Sequence, residues 1–346
     1  MSFAISISKR GLEFDCAADE TILDAVERAG FSIPYSCRKG VCSSCEGQLV
    51  SGEAMVRGQG LRKGPADAVL LCQARPRTDV EIAPVCIRKA APLQRRTFAA
   101  RVWRLGKPAP DVAVIHLRLP IGRRAIFRAG QYLRVQMTDG DSRNYSMANG
   151  PHRNDELELH IRYVRGGKFS EGRLAGLSKG DVLDIELPYG QFGLSARNEM
   201  AILIATGTGF APIKSLIEAA IRSGQRRRLH FYWGVHTEVD LYMRDLPQRW
   251  AEQYPWFVFT PVVSGPSDRW TGRTGLVHTA VLDDYPDMSA LEVYACGAPA
   301  MIDAAQRDFI TAARLRCDAF FSDAFVPSGD AEADASATRD AVVPGR

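Results

Sequence analysis

Cys37, Cys42, Cys45 and Cys72 follow the pattern C-x4-C-x2-C with a distant fourth member. Thiolates so spaced can hold a metal centre. A tight loop supplies three ligands and offers backbone N–H donors to the sulfurs, while the fourth ligand arrives from elsewhere in the chain. The small residues Gly40, Ser43, Ser44 and Gly47 let that loop approach closely. The spacing is that of plant-type [2Fe-2S] ligation. Zinc is the alternative, but zinc sites usually show two short-spaced pairs, and Cys72 has no close partner in the sequence. The chain has eight cysteines and opens without the basic patch and apolar core of a secretory leader, so metal or redox chemistry is expected rather than disulfides. Of the others, Cys16, Cys86 and Cys317 read as small buried hydrophobes.

Further groups could bind a large anionic ligand. Arg143, Asn144, Tyr145 and Ser146 close a predicted strand, and Gly166, Gly167, Lys168, Phe169 and Ser170 open a predicted short helix. Alone, Arg143 is as easily a solvated charge and Tyr145 an ordinary core aromatic. Together they offer an arginine for a phosphate, an aromatic face for a planar ring, a hydroxyl for a ring nitrogen and a glycine-opened helix start for a pyrophosphate. The stretch Thr206, Gly207, Thr208, Gly209, Phe210, Ala211, Pro212 follows an apolar strand and opens a helix, with Pro212 suited to the first helical position. This is not G-x-G-x-x-G. Its strand–loop–helix setting nevertheless points to a dinucleotide pyrophosphate rather than a plain turn. Trp233 and Gly234, and later Cys296 and Gly297, end two further predicted strands, where open parallel sheets place ligands. Trp233 is equally readable as core.

These motifs need scaffolds. At 346 residues the chain is long enough for two to three domains of ~150 residues each. Its hydrophobic fraction of 46% and mean hydropathy of -0.15 are ordinary for a globular protein. No apolar stretch approaches the ~20 residues of a membrane span; Met200 to Ala205 is typical of the longest. A cytoplasmic protein is expected. The net charge of +4, from 44 basic and 40 acidic residues, argues for neither nucleic acid nor a membrane surface as partner. The first ~90 residues read as a small mixed α+β domain with strands at 3–8 and 12–16. A helix capped by Thr21 and stopped at Gly30 follows, then strands at 47–49 and 80–82. Residues 97 to about 194 alternate in short runs at 98–102, 113–118, 132–137, 157–164 and 182–187, the pattern of an antiparallel barrel. The next third changes to strand-and-helix units, with strands at 200–205, 229–235, 257–263 and 291–295 and a helix at 212–222, as in a parallel doubly wound sheet. No internal repeat is evident. Domains are therefore expected at 1–90, 97–197 and 198–327, with a basic, proline-edged linker at 91–96 and a disordered tail at 328–346.

The cysteine spacing, R-x-Y-S, G-x-x-S, G-T-G-x-A-P, C-G-x-P-x-M and the closing Asp323, Ala324 and Phe325 occur in the order of one family. Over residues 1–327 the sequence resembles the ferredoxin–NADP reductase superfamily, and within it the single-chain reductases of bacterial oxygenases. Residues 143–149 and 120–132 are most similar to reductases of aromatic-ring dioxygenases, the terephthalate type among them. The resemblance implies a β-grasp ferredoxin domain, an antiparallel β-barrel for FAD and a doubly wound α/β domain for NAD. It places Arg143 at the FAD pyrophosphate, with Asn144 beside it, Tyr145 on the isoalloxazine and Ser146 near the flavin N5. His160, Ile161 and Arg162 would lie along the flavin, and Gly167, Lys168, Phe169 and Ser170 at the pyrophosphate. Residues 206–212, with Trp233 and Gly234, would cradle the nicotinamide dinucleotide. Cys296 and Gly297 would sit beside the nicotinamide, and Phe325 over the flavin face with Asp323 nearby.

The expected chemistry is conversion of the electron pair of NADH into single electrons, through FAD and the [2Fe-2S] cluster, for a terminal oxygenase. A di-iron monooxygenase or a deoxysugar dehydrase is the alternative acceptor. Many relatives carry arginine where this chain has His236, and no basic cluster stands beside Gly234, so NADH is expected over NADPH. Residues 1–86 hold ten basic and eleven acidic side chains, too even a balance to steer a free ferredoxin electrostatically. A covalently tethered one needs no such steering. Exit of electrons is expected at a cluster loop exposed near Arg38, Lys39 and Val41.

Overall fold

The computed structural model describes residues 1–35, 38, 40, 44–89, 94–197 and 199–326. The expected ligands Cys37 and Cys42, the loop residues Lys39 and Val41, residues 91–93 of the expected linker and the tail 328–346 lie outside them.

Alternating apolar residues set the first layer. Ser2–Ile7 and Leu12–Ala17 pair antiparallel across a turn at Lys9 and Gly11, both with φ +59, and Ile5 and Ile7 point inward. The helix Ile22–Arg28 (α1) begins where Thr21 Oγ1 accepts the Asp24 N–H at 3.2 Å, as the sequence predicts. It buries Ile22, Leu23, Ala25 and Val26 and ends before Gly30, whose φ of +80 suits a helix stop. The sheet runs Leu12–Ala17, Ser2–Ile7, Val80–Pro84, Glu46–Ser51, Ala66–Leu70, with Val80–Pro84 parallel to the first strand. A small second sheet of Gly60–Lys63, Glu53–Val56 and Ala74–Pro76 has no counterpart in the sequence reading. Its strands are too short to carry a readable alternation.

The second layer is a six-stranded antiparallel sheet. Its order is Ser142–Ser146, Tyr132–Gln136, Val182–Tyr189, Arg96–Ala109, Val112–Arg118, Glu156–Arg162. The strand Arg96–Ala109 outruns the expected 98–102 because two register shifts let it bend while staying paired. A bridge from Met147 to Leu159 joins the two ends of the sheet.

The third layer is parallel, in the order Arg273–Thr274, Phe257–Val263, Leu229–Val235, Ala201–Thr206, Glu292–Gly297, Phe320–Ala324. Phe210–Ser223 (α2) and Asp245–Gln253 (α3) pack on the face of Leu203, Phe231 and Trp233. Val277–Asp284 (α4) and Pro299–Ala312 (α5) pack on the face of Ile202, Tyr232 and Val293. Both faces are buried, which explains the continuous apolar runs of its strands. Pro212 is the third residue of α2, not the first. Its missing N–H still falls among the four that a helix start leaves unpaired.

Candidate functional site

Strand order reverses between Ala201–Thr206 and Glu292–Gly297, the place where an open parallel sheet forms a crevice beyond its carboxyl ends. Gly207–Gly209 form a tight turn there, and Gly297 lies opposite with φ +130. A side chain on Gly209 would stand 2.3 Å from the Cys296 carbonyl, and one on Gly297 2.2 Å from Thr206 Oγ1, so both loops require glycine for their close approach. Thr206 Oγ1 accepts the Ala298 N–H at 2.9 Å, and Gly297 accepts the Phe325 N–H at 2.8 Å. The result is a cleft of about 580 Å³ lined by Thr206, Gly207, Thr208, Gly234, His236, Gly297, Phe325 and, from the antiparallel sheet, Arg162.

Other expected contacts sit behind this lining. Phe210 and Trp233 are fully buried and stacked, with ring centroids 4.2 Å apart, while Ala211 and Pro212 are buried in α2. Trp233 is core, yet its Nε1 donates to the Gly207 carbonyl at 3.0 Å and so supports the turn from beneath. Cys296 is fully buried; burial, with the Asp323 carboxylate on the neighbouring strand, pushes its thiol well above the ordinary range.

On the antiparallel sheet, Ser142–Ser146 carries Arg143, whose buried guanidinium pairs with Asp141 and donates to the Ser142 carbonyl at 2.9 Å. Asn144 is half-buried in the same strand. Tyr145 leans on Phe169 at 5.3 Å, and Ser146 is buried. Gly167 precedes a single π-helical turn, Lys168–Arg173; a side chain on it would strike Ser170 Oγ at 2.3 Å. That hydroxyl donates to the Val164 carbonyl at 3.2 Å and accepts the Val164 N–H at 3.1 Å, which pins the turn. Lys168 pairs with Asp139 at 2.9 Å on the surface.

The side chains of His160 and Ile161 are buried: Ile161 is core, and His160 lies in a polar chain leading into the parallel domain. His160 Nε2 meets Glu158 at 2.8 Å and its Nδ1 meets the Tyr242 hydroxyl at 2.9 Å. Lys214 of α2 donates to Glu158 at 3.0 Å and Glu218 at 2.7 Å. Burial alone would raise the Glu158 carboxyl, but His160 and Lys214 hold it well below the usual range. The sequence offered a signal for Lys214, a charge inside the apolar face Phe210, Ile213, Ile217, Ala220, but none for its partners.

Among the cysteines, Cys45 and Cys72 are buried and unbridged, and the Leu71 N–H donates to the Cys45 carbonyl at 3.3 Å. Gln73 Nε2 donates to Cys72 Sγ at 3.5 Å and to the Arg38 carbonyl at 2.8 Å, a second-layer donor suited to a thiolate ligand. Arg38 corrects the expected exit, because its side chain is buried between Asp24 and Glu27 rather than displayed to a partner. Cys16 is buried as expected and its thiol is pushed up to about 12 by desolvation, whereas Cys86 is half-buried and Cys317 exposed.

Three family profiles match in order: a 2Fe-2S iron-sulfur cluster binding domain over residues 5–77, an oxidoreductase FAD-binding domain over 104–193 and an oxidoreductase NAD-binding domain over 203–307. The chain is 38% identical over 334 residues to the CDP-6-deoxy-L-threo-D-glycero-4-hexulose-3-dehydrase reductase of Yersinia pseudotuberculosis, covering 95% of this chain and all of that one. It is 37% identical over 310 residues to a terephthalate 1,2-dioxygenase reductase component of a Comamonas species, covering 87% and 91%. Among solved structures, the Amycolatopsis cytochrome P450 reductase GcoB superposes with a TM-score of 0.78 at 31% identity, covering 94% of this chain and all of that one.

Proposed function

The chain belongs to the single-chain reductases of the ferredoxin–NADP reductase superfamily, and from that premise we propose that it delivers single electrons to a terminal aromatic-ring-hydroxylating dioxygenase. It is an NADH-dependent flavin and iron–sulfur oxidoreductase. When bound, FAD accepts the electron pair of NADH and passes electrons one at a time to the [2Fe-2S] cluster. The observation that carries the reading is the position of the antiparallel sheet. It supplies Arg162 to the glycine cleft at one end and Tyr132 and Tyr189 to the core of the cysteine domain at the other.

The residues fit these groups. Gly209 and Gly297 leave backbone where a side chain would fill the cleft, and Gln73 already donates to a cysteine sulfur. In this reading Cys37, Cys42, Cys45 and Cys72 ligate the cluster, while Arg143, with Gly167 and Ser170, holds the flavin pyrophosphate. Tyr145 packs on the ring as a neutral phenol, kept so by burial, and the Ser146 hydroxyl reaches toward it. Thr206 to Thr208 and Gly297 hold the dinucleotide, Cys296 presents a neutral thiol beside Asp323, and Phe325 covers the cleft. Domain limits at 1–90, 97–197 and 198–327, a β-grasp first sheet, a barrel stitched at Met147–Leu159 and a doubly wound third domain complete it. The unbridged cysteines support a cytoplasmic site of action.

Anaerobic titration of the purified protein with NADH, with iron and flavin assayed, should bleach both the flavin and the [2Fe-2S] bands. Loss of flavin colour alone would overturn the four-cysteine assignment. Arg162 is the one lysine or arginine among the described residues lining the cleft, and Asp240 lies there too, which disfavours a 2'-phosphate. NADPH should therefore reduce the protein far less efficiently than NADH; equal efficiency would refute this preference. The Yersinia relative favours a second acceptor, a deoxysugar dehydrase. Turnover of each candidate acceptor by the reduced protein distinguishes the two.

A further inference from the structure

Arg38 directly follows the expected ligand Cys37, has φ +53, and carries a guanidinium that is only 6% exposed. It pairs with Asp24 and Glu27 of α1 and lies over the Tyr35 ring at 4.4 Å and nearer the antiparallel domain over the Tyr189 ring at 5.8 Å. Arg95, just before the strand Arg96–Ala109, closes the same seam by pairing with Glu27 and covering Tyr189 at 4.5 Å. Arg134 covers Tyr189 at 4.1 Å. Tyr189 stacks on Tyr132 at 5.5 Å and donates to Glu186 at 2.5 Å. Finally, the Gly190 N–H donates to the Tyr35 hydroxyl at 3.1 Å, across the two domains.

Charges and rings from three separate segments thus converge on one residue of the cysteine loop. We propose that Arg38, held by Asp24, Glu27 and Tyr189, with Arg95 bound to the same Glu27 and Tyr189, is a positioning residue that latches this loop to the flavin-binding domain and fixes the gap electrons cross between them. The proposal rests on the three-centre reading above. A planar guanidinium suits the role, because it pairs with two carboxylates while lying between two rings, which an ammonium cannot do. The seam sets charge against apolar packing: Tyr132 and Tyr189 belong to the core of the cysteine domain, while Nε of Arg38, of Arg95 and of Arg134 and the Tyr132 hydroxyl have no hydrogen-bond partner among the described residues. Shared apolar packing with charge at its edge holds two domains in a fixed relation.

The test uses the full-length, cofactor-loaded protein carrying Arg95→Ala, distant from the cysteines in sequence, or Arg38→Lys, which keeps the charge. Anaerobic stopped-flow mixing with NADH should show flavin bleaching at the wild-type rate and cluster bleaching slowed by about ten- to a hundredfold, up to the loss that an ångström-scale misplacement produces. Hydrogen exchange should accelerate in the peptide containing Gly190, while the electron paramagnetic resonance signal of the reduced cluster stays unchanged. Cluster bleaching and Gly190 exchange both at wild-type rates would overturn the latch. So would a changed resonance signal with unchanged exchange, which would assign Arg38 to the environment of the cluster itself. Wild-type protein that bleaches its flavin but never its cluster would overturn the three-centre reading and the latch together.

Discussion

A single methyl group separates Gly297 from alanine, and the cleft has no room for it. Its φ of +130 strains any other residue, and the added carbon would stand 2.2 Å from Thr206 Oγ1, displacing the hydroxyl that anchors Ala298. Gly297→Ala should raise the KM for NADH at least about tenfold while leaving the cluster spectrum intact; an unchanged KM would show that the dinucleotide does not use this loop. His230 gives a pH prediction. Its ring meets the Tyr285 hydroxyl and Thr260 Oγ1, both at 2.8 Å, and burial lowers its pKa to about 4. Above its unfolded value near 6.5 the ring is neutral in both states and its contribution to stability is complete. As pH falls from about 6.5 towards 4 the unfolded chain takes up a proton that the folded one refuses, so up to about 3 kcal/mol is lost. His116, His160 and His278 are shifted the same way. His230→Gln should therefore flatten, without abolishing, the fall in Tm over that window, and parallel Tm curves would count against it. Residues whose chemistry is local were readable from sequence, as the cysteine spacing and the glycine turn show. Arg38 was misread because the partners that bury it come from other segments, Tyr189 lying far along the chain; the bond from His160 to Tyr242 is hidden from sequence for the same reason.

Elements were legible where periodicity and punctuation agreed. Leu229–Val235 and Phe257–Val263 occur with the predicted limits; the first is buried on both faces and reads as a nearly unbroken apolar run, while the second is marked by its β-branched and aromatic residues though Val258 is exposed. Thr21 and Gly30 mark the ends of α1 by their side-chain acceptor and left-handed backbone. The start of α2 was displaced by two residues, since a proline tolerated anywhere in a first turn does not by itself fix the register. Phe320–Ala324 was missed because its pairing with Glu292–Gly297 is a tertiary fact that five residues cannot announce. Within α2, Lys214 is the element's weak point and its anchor. Removing its ammonium leaves Glu158 and Glu218 short of a counter-charge in a buried setting. Lys214→Ala should cost about 3–5 kcal/mol, read as a lowered Tm of the loaded protein, and a loss below 1 kcal/mol would mean that Arg153 and His160 suffice for Glu158.

At the scale of the whole molecule, both seams set charge within apolar packing. One joins α1 to Tyr189 through Arg38 and Arg95; the other joins Glu158 to α2 through Lys214, with Ser195 and Arg227 bound to the fully buried Glu292 beneath it. Asp24 and Glu27, two of the eleven acidic groups of residues 1–86, are engaged internally by Arg38 and Arg95. That organisation bears on how such genes can recombine. A crossover near residue 197 that brought in an α2 lacking the Lys214 ammonium would leave Glu158 with Arg153 and His160 alone. A foreign partner for either the barrel or the nicotinamide domain must therefore bring its half of the Lys214 pair with it.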